Sequence, residues 1–102
     1  MTIAVRVYRK SGGALVGMWT DPLRMSVMNS YGEGTLDKRI VRLEIPGHEA
    51  RDVQIGDDLL VYFRNRWPFV VPVVGIKEDA GWATIRAEGP DKPWSDHEGS
   101  QL

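Results

Sequence analysis

The sequence predicts an all-β domain, a small barrel or sandwich of six to seven mostly antiparallel strands with an extended C-terminal tail. Apolar residues alternate with polar ones in several short runs, as they do along half-buried strands. The 11 glycines and 6 prolines among the 102 residues interrupt these runs often, which is typical of chains with many short strands. No window shows the apolar stripe of an amphipathic helix.

The chain opens with a predicted β-hairpin. Apolar residues alternate at positions 3–7, and the glycine-rich segment 10–13 supplies the turn, because glycine adopts positive φ angles without steric strain. Residues 14–20 form the returning strand. Pro22 ends it, since proline cannot donate a hydrogen bond to a sheet. Alternation at 23–27 then predicts a third strand.

The middle of the chain contains the clearest strand, at residues 38–45, where apolar and charged side chains alternate until Pro46. Residues 29–34, which precede it, have the composition of a loop. Residues 48–54 are polar and are long enough for one helical turn. We therefore expect one long strand here, bounded by a loop and a short turn.

Three more strands are predicted at 59–63, 69–77 and 82–87. A Gly-Asp turn at 56–57 leads into the first of them, because aspartate can bond the backbone beyond the glycine. Pro72 lies in the most apolar of the three and marks an edge or a bulge. An edge at that point would accept a strand from a neighbouring protein.

The composition changes at residue 88, which divides the chain into a β domain at 1–87 and an acidic extended tail at 88–102. The tail has four acidic residues and one lysine, and its formal charge is −3, whereas the whole chain carries −1. With so few apolar side chains the tail should not fold alone, and Trp94 is its one anchor. We expect the acidic tail to dock on a basic surface.

Composition argues against metal, cofactor and membrane sites. The chain has no cysteine, which excludes a disulfide, a thiolate metal site and a cysteine nucleophile. His48 and His97 lie far apart in the sequence, and no calcium loop or phosphate loop is present. No apolar run approaches the roughly 18 residues that cross a bilayer, and the first residues do not resemble a signal peptide. We expect a soluble protein made in a cytoplasm, without metal or cofactor.

Candidate catalytic residues are equally scarce. Ser95, Asp96 and His97 have the letters of a hydrolase triad, but adjacent residues in an extended tail project in different directions. The acidic pairs at 57–58 and 78–79 lie in predicted turns, where acidic residues are common for structural reasons. The sequence therefore predicts a protein that is not an enzyme.

A basic, aromatic connection joins the two most apolar strands. Arg64, Arg66 and Trp67 have the residue types with which small barrels bind single-stranded nucleic acid. The net charge near zero argues against that function, while tryptophan and arginine also dominate protein interfaces. A third interpretation is a plain turn, with Trp67 packed over the barrel end and its arginines paired to nearby acids. We favour a protein-facing turn, and predict partner contacts at Arg64, Arg66, Trp67 and Trp94, with Trp82 at the start of a strand and in the core.

The order of four segments resembles a known family. They read IAVRVYRKSGGALVGMW, SYGEGTLDKRIVRLEIPGHEA, VQIGDDLLVYFRN and VVPVVGIKED. This pattern resembles the opening domain of tail-tip or baseplate hub proteins, the tail-associated minor tail proteins of long-tailed bacteriophages. Hub proteins of that type are usually much longer and have several domains. The resemblance implies a structural virion component without a catalytic site, assembled as a symmetric ring. The matching positions are Val7, Tyr8, Gly13, Gly17, Trp19, Tyr31, Gly34, Leu43, Pro46, Gly56, Asp57 and Val61.

The functional hypothesis is therefore a non-enzymatic structural or adaptor protein that acts through protein-protein contacts. Its partners would be other structural proteins or copies of itself in a homo-oligomer, and its location a phage tail or baseplate in the virion. Two alternatives stay open. One is a single-stranded nucleic-acid-binding barrel that uses Arg64, Arg66 and Trp67, and the other is a small phage inhibitor of a host defence enzyme.

Overall fold

In the computed structural model, seven antiparallel strands form one curled sheet with the shape of a half-barrel. The structure describes residues 3–10, 13–22, 24–32, 35–63, 68–90 and 92–93. No helix among these residues is long and apolar enough to span a membrane. The strands are β1 Ile3–Tyr8, β2 Leu15–Thr20, β3 Arg24–Gly32, β4 Thr35–Pro46, β5 Asp58–Phe63, β6 Phe69–Asp79 and β7 Trp82–Gly89, with a two-residue β8 at Lys92–Pro93 and one 3-10 helix at Gly47–Ala50.

The predicted all-β fold class is confirmed by the strand order across the sheet, which is β2-β1-β5-β6-β7-β4-β3. Four pairs, β1–β2, β3–β4, β5–β6 and β6–β7, are neighbours in the chain, while β1–β5 and β4–β7 join distant segments. Within the described residues no ladder joins β2 to β3, so the sheet curls without closing. Its two end strands are therefore sheet edges.

The curl of the sheet is centred on β6, which takes part in both halves. Its first residues pair with β5, and from Val73 onward it pairs with β7. The register of the second ladder shifts between Val73 and Gly75, which leaves Val74 as an extra residue in a bulge. Because a bulge bends its strand and increases the local twist, β6 can turn from one half of the sheet into the other.

Pro72 lies inside the sheet, so its interpretation as an edge residue is wrong. The strand β6 has β5 on one side and β7 and β8 on the other. The amide N–H of Val73 donates to Asp57 O at 2.8 Å, which leaves the ring of Pro72 on the opposite side, against Gly89. The alternative interpretation was a bulge, and a bulge follows two residues later.

The core fills the concave inner face of the curled sheet. Alternate residues of β1, β5, β6, β7 and β4 point into it, as the period of two predicts. Burying one such valine, leucine or isoleucine contributes about 1.5–3 kcal/mol to stability. The side chains with almost no exposed surface here are Val5, Val7, Val41, Leu43, Leu59, Val61, Val71, Val73 and Ile85.

The hairpin of β3 and β4 is longer than predicted. Residues 29–34 were expected to form a loop, but β3 continues to Gly32 and β4 begins at Thr35. The ladder pairs Tyr31 with Leu36 and Gly32 with Thr35. Composition alone therefore overestimated the loop, since Gly32 lies within β3.

The hairpin of β6 and β7 is also tighter than predicted. The turn was expected at 78–81, but only Ala80 and Gly81 lie between the strands. Both have positive φ angles, 52° and 84°, the geometry that two-residue hairpins favour because it matches the twist of the strands. The amide N–H of Gly47, at the start of the 3-10 helix, donates to Gly81 O at 2.8 Å and fixes the short predicted turn beside this hairpin.

Candidate interaction surfaces

The four predicted contact residues, Arg64, Arg66, Trp67 and Trp94, all lie outside the described residues. Their role stays a prediction. Phe63 and Phe69, which flank the connection at 64–67, have ring centroids 6.3 Å apart. At the same end of the sheet the guanidinium of Arg39 lies 4.3 Å from the centroid of Phe69, in a cation-π contact.

The two edge strands carry the clearest exposed apolar surface. On β2, Leu15 and Met18 are more than half exposed. On β3, Met28 and Tyr31 are more exposed still. Edge strands also present unpaired backbone N–H and C=O groups, and exposed apolar side chains beside them favour pairing with another chain. The sequence did not indicate these residues as contact residues, because alternation does not show which strands lie at the edges of a sheet.

Trp19 stabilises the inner side of β2 and is not an exposed contact residue. Its ring packs on the core and lies over Gly17, where a Cβ atom would come within 2.5 Å of it. Its indole Nε1 donates to Glu49 Oε1 at 2.9 Å. The lack of a side chain at position 17 therefore allows the ring to lie flat against the strand.

Trp82 was expected in the core, and that prediction is wrong. It does begin β7, but its side chain is 43% exposed. The guanidinium of Arg24 lies 5.3 Å from the ring centroid, so the tryptophan and the arginine cover each other on the outer face of the sheet. Its position opposite Pro46, at the end of the β4–β7 ladder, leaves it beyond the core.

A row of basic side chains lies on the outer face of β3, β4 and β7. The register places Arg42 directly opposite Ser26 on one side and Arg86 on the other. Arg86 Nε lies 3.3 Å from Glu88 Oε2, whereas Arg42 has no ion pair or hydrogen bond with any described residue. Like charges directly opposite each other destabilise a ladder, so this pair would gain from a bound anion.

A shallow depression of about 420 Å³ lies beside this row. Arg24, paired with Glu44 at 3.7 Å, lies on one side of it. The depression therefore presents basic and acidic side chains next to each other. The lining residues are Arg24, Met25, Ser26, Arg42, Glu44 and Thr84.

A buried ion pair joins the first hairpin to the turn before β5. Asp57 is 2% exposed, and its carboxylate accepts hydrogen bonds from Arg9 Nη1 at 3.2 and 3.3 Å and from the Gln54 backbone N–H at 2.8 Å. Arg9 Nη2 also donates to Asp52 O at 2.8 Å. Both carboxylate oxygens thus accept hydrogen bonds within the chain, which indicates a structural role. The sequence predicted only the Gly-Asp turn, and no signal in it indicated Arg9 as the partner of Asp57.

The other polar groups of the described residues form no recognisable centre. Among the described residues, no three His, Asp or Glu side chains are grouped so that they could hold a metal ion. A second open depression, of about 340 Å³, lies between the 3-10 helix and the β6–β7 turn, and His48 and Asp79 are among its lining residues. His48 Nε2 lies 3.8 Å from Glu49 Oε2.

Comparisons with known proteins add no family to these observations. No protein-family model, no curated protein and no solved structure matches the chain. The likeness to phage tail hubs therefore stays a prediction, and the surfaces described above carry the functional argument.

Proposed function

We propose that this protein is a non-enzymatic structural or adaptor module that assembles through the edges of its sheet, β2 and β3. The observation that carries the proposal is the exposure of large apolar side chains on both end strands of an open sheet. Edge strands that stay unpaired are usually protected by charges, prolines or covering loops. Leu15 and Met18 on β2, and Met28 and Tyr31 on β3, suit contact with another protein instead.

The proposed assembly is head-to-tail, with β2 of one copy against β3 of the next. Such a contact uses two different surfaces of one chain, so repetition produces a closed ring or a filament. A ring of this kind suits a phage tail or baseplate, the setting that the resemblance implies. The resemblance supports the phage setting, and the position of β2 and β3 at the two ends of the described sheet supports the assembly.

The experiment is to measure the mass of the assembly in solution by light scattering over a range of protein concentrations. Met18→Lys and Met28→Lys place a charge on each edge in turn, and each should reduce the mass to that of the monomer. Ile55→Lys is the matched control, because Ile55 is an exposed apolar residue in a turn away from both edges, and it should leave the mass unchanged. A wild-type chain that stays monomeric at every concentration would contradict the proposal.

A second candidate function is the binding of single-stranded nucleic acid, and the Arg42–Arg86 row favours it. A labelled oligonucleotide titrated at low and high salt would show binding that weakens with salt, because phosphate contacts release counterions. Arg42→Ala should weaken that binding, whereas Arg51→Ala, which removes an exposed arginine beside the 3-10 helix, should not. Absence of binding at low salt would eliminate this candidate.

A further inference from the structure

The open depression between the 3-10 helix and the β6–β7 turn has fixed walls. The amide N–H of Gly47 donates to Gly81 O at 2.8 Å, which attaches the 3-10 helix to the turn. The two-residue turn at Ala80 and Gly81 holds the ends of β6 and β7 together on the other side. The volume of about 340 Å³ lies within the range of roughly 300–1,000 Å³ that is usual for small-molecule sites. The depression is therefore preformed and large enough for a small ligand.

An exposed tryptophan, Trp82, borders this depression. Trp19, the other tryptophan among the described residues, packs on the core instead. The guanidinium of Arg24 lies 5.3 Å from the centroid of the Trp82 ring, but Arg24 does not line the depression. The ring therefore borders the depression with another part of its surface. Exposure of that apolar surface to water is unfavourable, and a ligand that covers it would gain the corresponding free energy.

Charged side chains of both signs line the same depression. Glu78 and Asp79 belong to the end of β6, and Arg51 follows the 3-10 helix. All three are exposed, and none makes an ion pair or a side-chain hydrogen bond with another described residue. Ionised carboxylates only accept hydrogen bonds, whereas a guanidinium only donates them. A ligand that fits the depression should therefore carry donors and acceptors close together, beside an apolar surface for the tryptophan.

A neutral saccharide has both properties. Each of its hydroxyl groups can donate and accept a hydrogen bond, and the C–H groups on one face of a sugar ring can pack on the negative face of an aromatic ring. A cation would also stack on Trp82, but it would meet the positive charges of Arg24 and Arg51. An anion would meet the negative charges of Glu78 and Asp79. A neutral ligand avoids both repulsions.

We propose that this depression binds a neutral saccharide, with one sugar ring against Trp82. The hydroxyl groups of that ring donate to Glu78 and Asp79 and accept from Arg51. Because the depression is open, it holds one part of an oligosaccharide while the rest stays in solvent. The edge strands β2 and β3 contribute no residue to the depression, so the inference is independent of the proposed assembly.

The test is a titration of the isotope-labelled full chain, followed by NMR, with cellotetraose, maltotetraose and chitotetraose as separate probes. At least one of them should shift the amide signals of His48 and Gly81 and the indole signal of Trp82, with saturation at millimolar concentrations. Tetramethylammonium and inorganic phosphate are the competing probes for a cation and an anion. If no saccharide shifts these signals, or if either ion shifts them more strongly at equal concentration, the proposal is overturned.

Removal of the aromatic ring tests the stacking contact. Trp82→Ala should weaken binding of the same saccharide at least tenfold, because the sugar ring loses its apolar support. Tyr62→Ala is the matched control, since Tyr62 is an exposed aromatic residue on β5 outside the depression, and it should leave the affinity unchanged. Trp82→Ala should also leave the mass of the assembly unchanged, so the two proposals can fail separately. Unaltered saccharide affinity in Trp82→Ala would contradict the stacking contact.

Removal of a charged partner tests the hydrogen bonds. Arg51→Ala and Glu78→Gln should each weaken saccharide binding about tenfold, because each removes a hydrogen bond between a charged group and a hydroxyl. Arg42→Ala is the matched control, because Arg42 is an exposed arginine that lines the other depression, and it should have no effect. An equal loss of affinity in Arg42→Ala and Arg51→Ala would show an effect of net charge and would overturn the assignment of the site.

Discussion

At two positions, Asp57 and Gly17, the local contacts depend on the particular residue that is present. Asp57 is a buried carboxylate whose oxygens accept from Arg9 and from the Gln54 amide, so both its charge and its shape are used. Gly17 leaves room for the ring of Trp19. Both positions connect β1 and β2 to other parts of the sheet, and each can be tested with one matched pair of variants.

Asp57→Asn should lower the free energy of unfolding by about 2 kcal/mol, because the charged hydrogen bonds of Arg9 lose their acceptor. Asp52→Asn is the control, since Arg9 bonds only the backbone oxygen of Asp52, and it should change stability by less than about 0.5 kcal/mol. Urea denaturation of both variants measures the difference. Equal stability of the two would show that the ion pair contributes nothing.

Gly17→Ala should lower stability by about 1–3 kcal/mol, because the new methyl group displaces the Trp19 ring from its place on the core. Gly75→Ala is the control, since a Cβ atom at Gly75 meets nothing within 4 Å. Thermal unfolding followed by tryptophan fluorescence checks both variants. A destabilised Gly75→Ala with an unaffected Gly17→Ala would contradict this account of the ring.

At the scale of elements, β6 decides the shape of the sheet. It pairs with β5 as far as Pro72 and with β7 from Val73 onward, and the bulge at Val74 shifts the register within the second ladder. The extra residue keeps Val73 and Ile76 both toward the core, although they are three positions apart. An unbulged strand would send one of them to the solvent side.

Deletion of Val74 should therefore disrupt the fold, because it moves every later side chain of β6 to the opposite face. Val74→Ala keeps the extra backbone residue and removes only a partly exposed side chain, so it should cost less than about 1 kcal/mol. Circular dichroism and thermal unfolding distinguish the two variants. A deletion variant as stable as Val74→Ala would mean that the bulge is dispensable.

At the scale of the whole molecule, the two edges determine how copies meet. If β2 and β3 pair between copies, dissociation accompanies unfolding and the midpoint of thermal unfolding rises with protein concentration. Met28→Lys should remove that dependence while leaving the midpoint of the dilute protein nearly unchanged, because Met28 is exposed. Calorimetry across a range of concentrations makes the comparison. A midpoint independent of concentration in the wild type would contradict assembly at the edges.

The sequence was sufficient for the fold class, because alternation marks each buried strand directly. The predicted strand boundaries were wrong where glycine can lie either in a loop or at the end of a strand. Gly32 ends β3, although composition predicted a loop there. The pairing of strands that lie far apart in the sequence could not be predicted either. Arg9 and Asp57 are 48 positions apart, and only the β1–β5 register brings them together. The same limit concealed the Arg42–Arg86 pair and the two edges.

The shared strand β6 also determines how the domain unfolds. Its residues hold β5 on one side and β7 on the other, and the core side chains of both halves meet around it. Because β6 belongs to both halves, neither half can unfold while β6 stays fully paired in the other. The domain should behave as one cooperative unit, in which the slowest-exchanging amides of β5 and β7 report the same opening free energy.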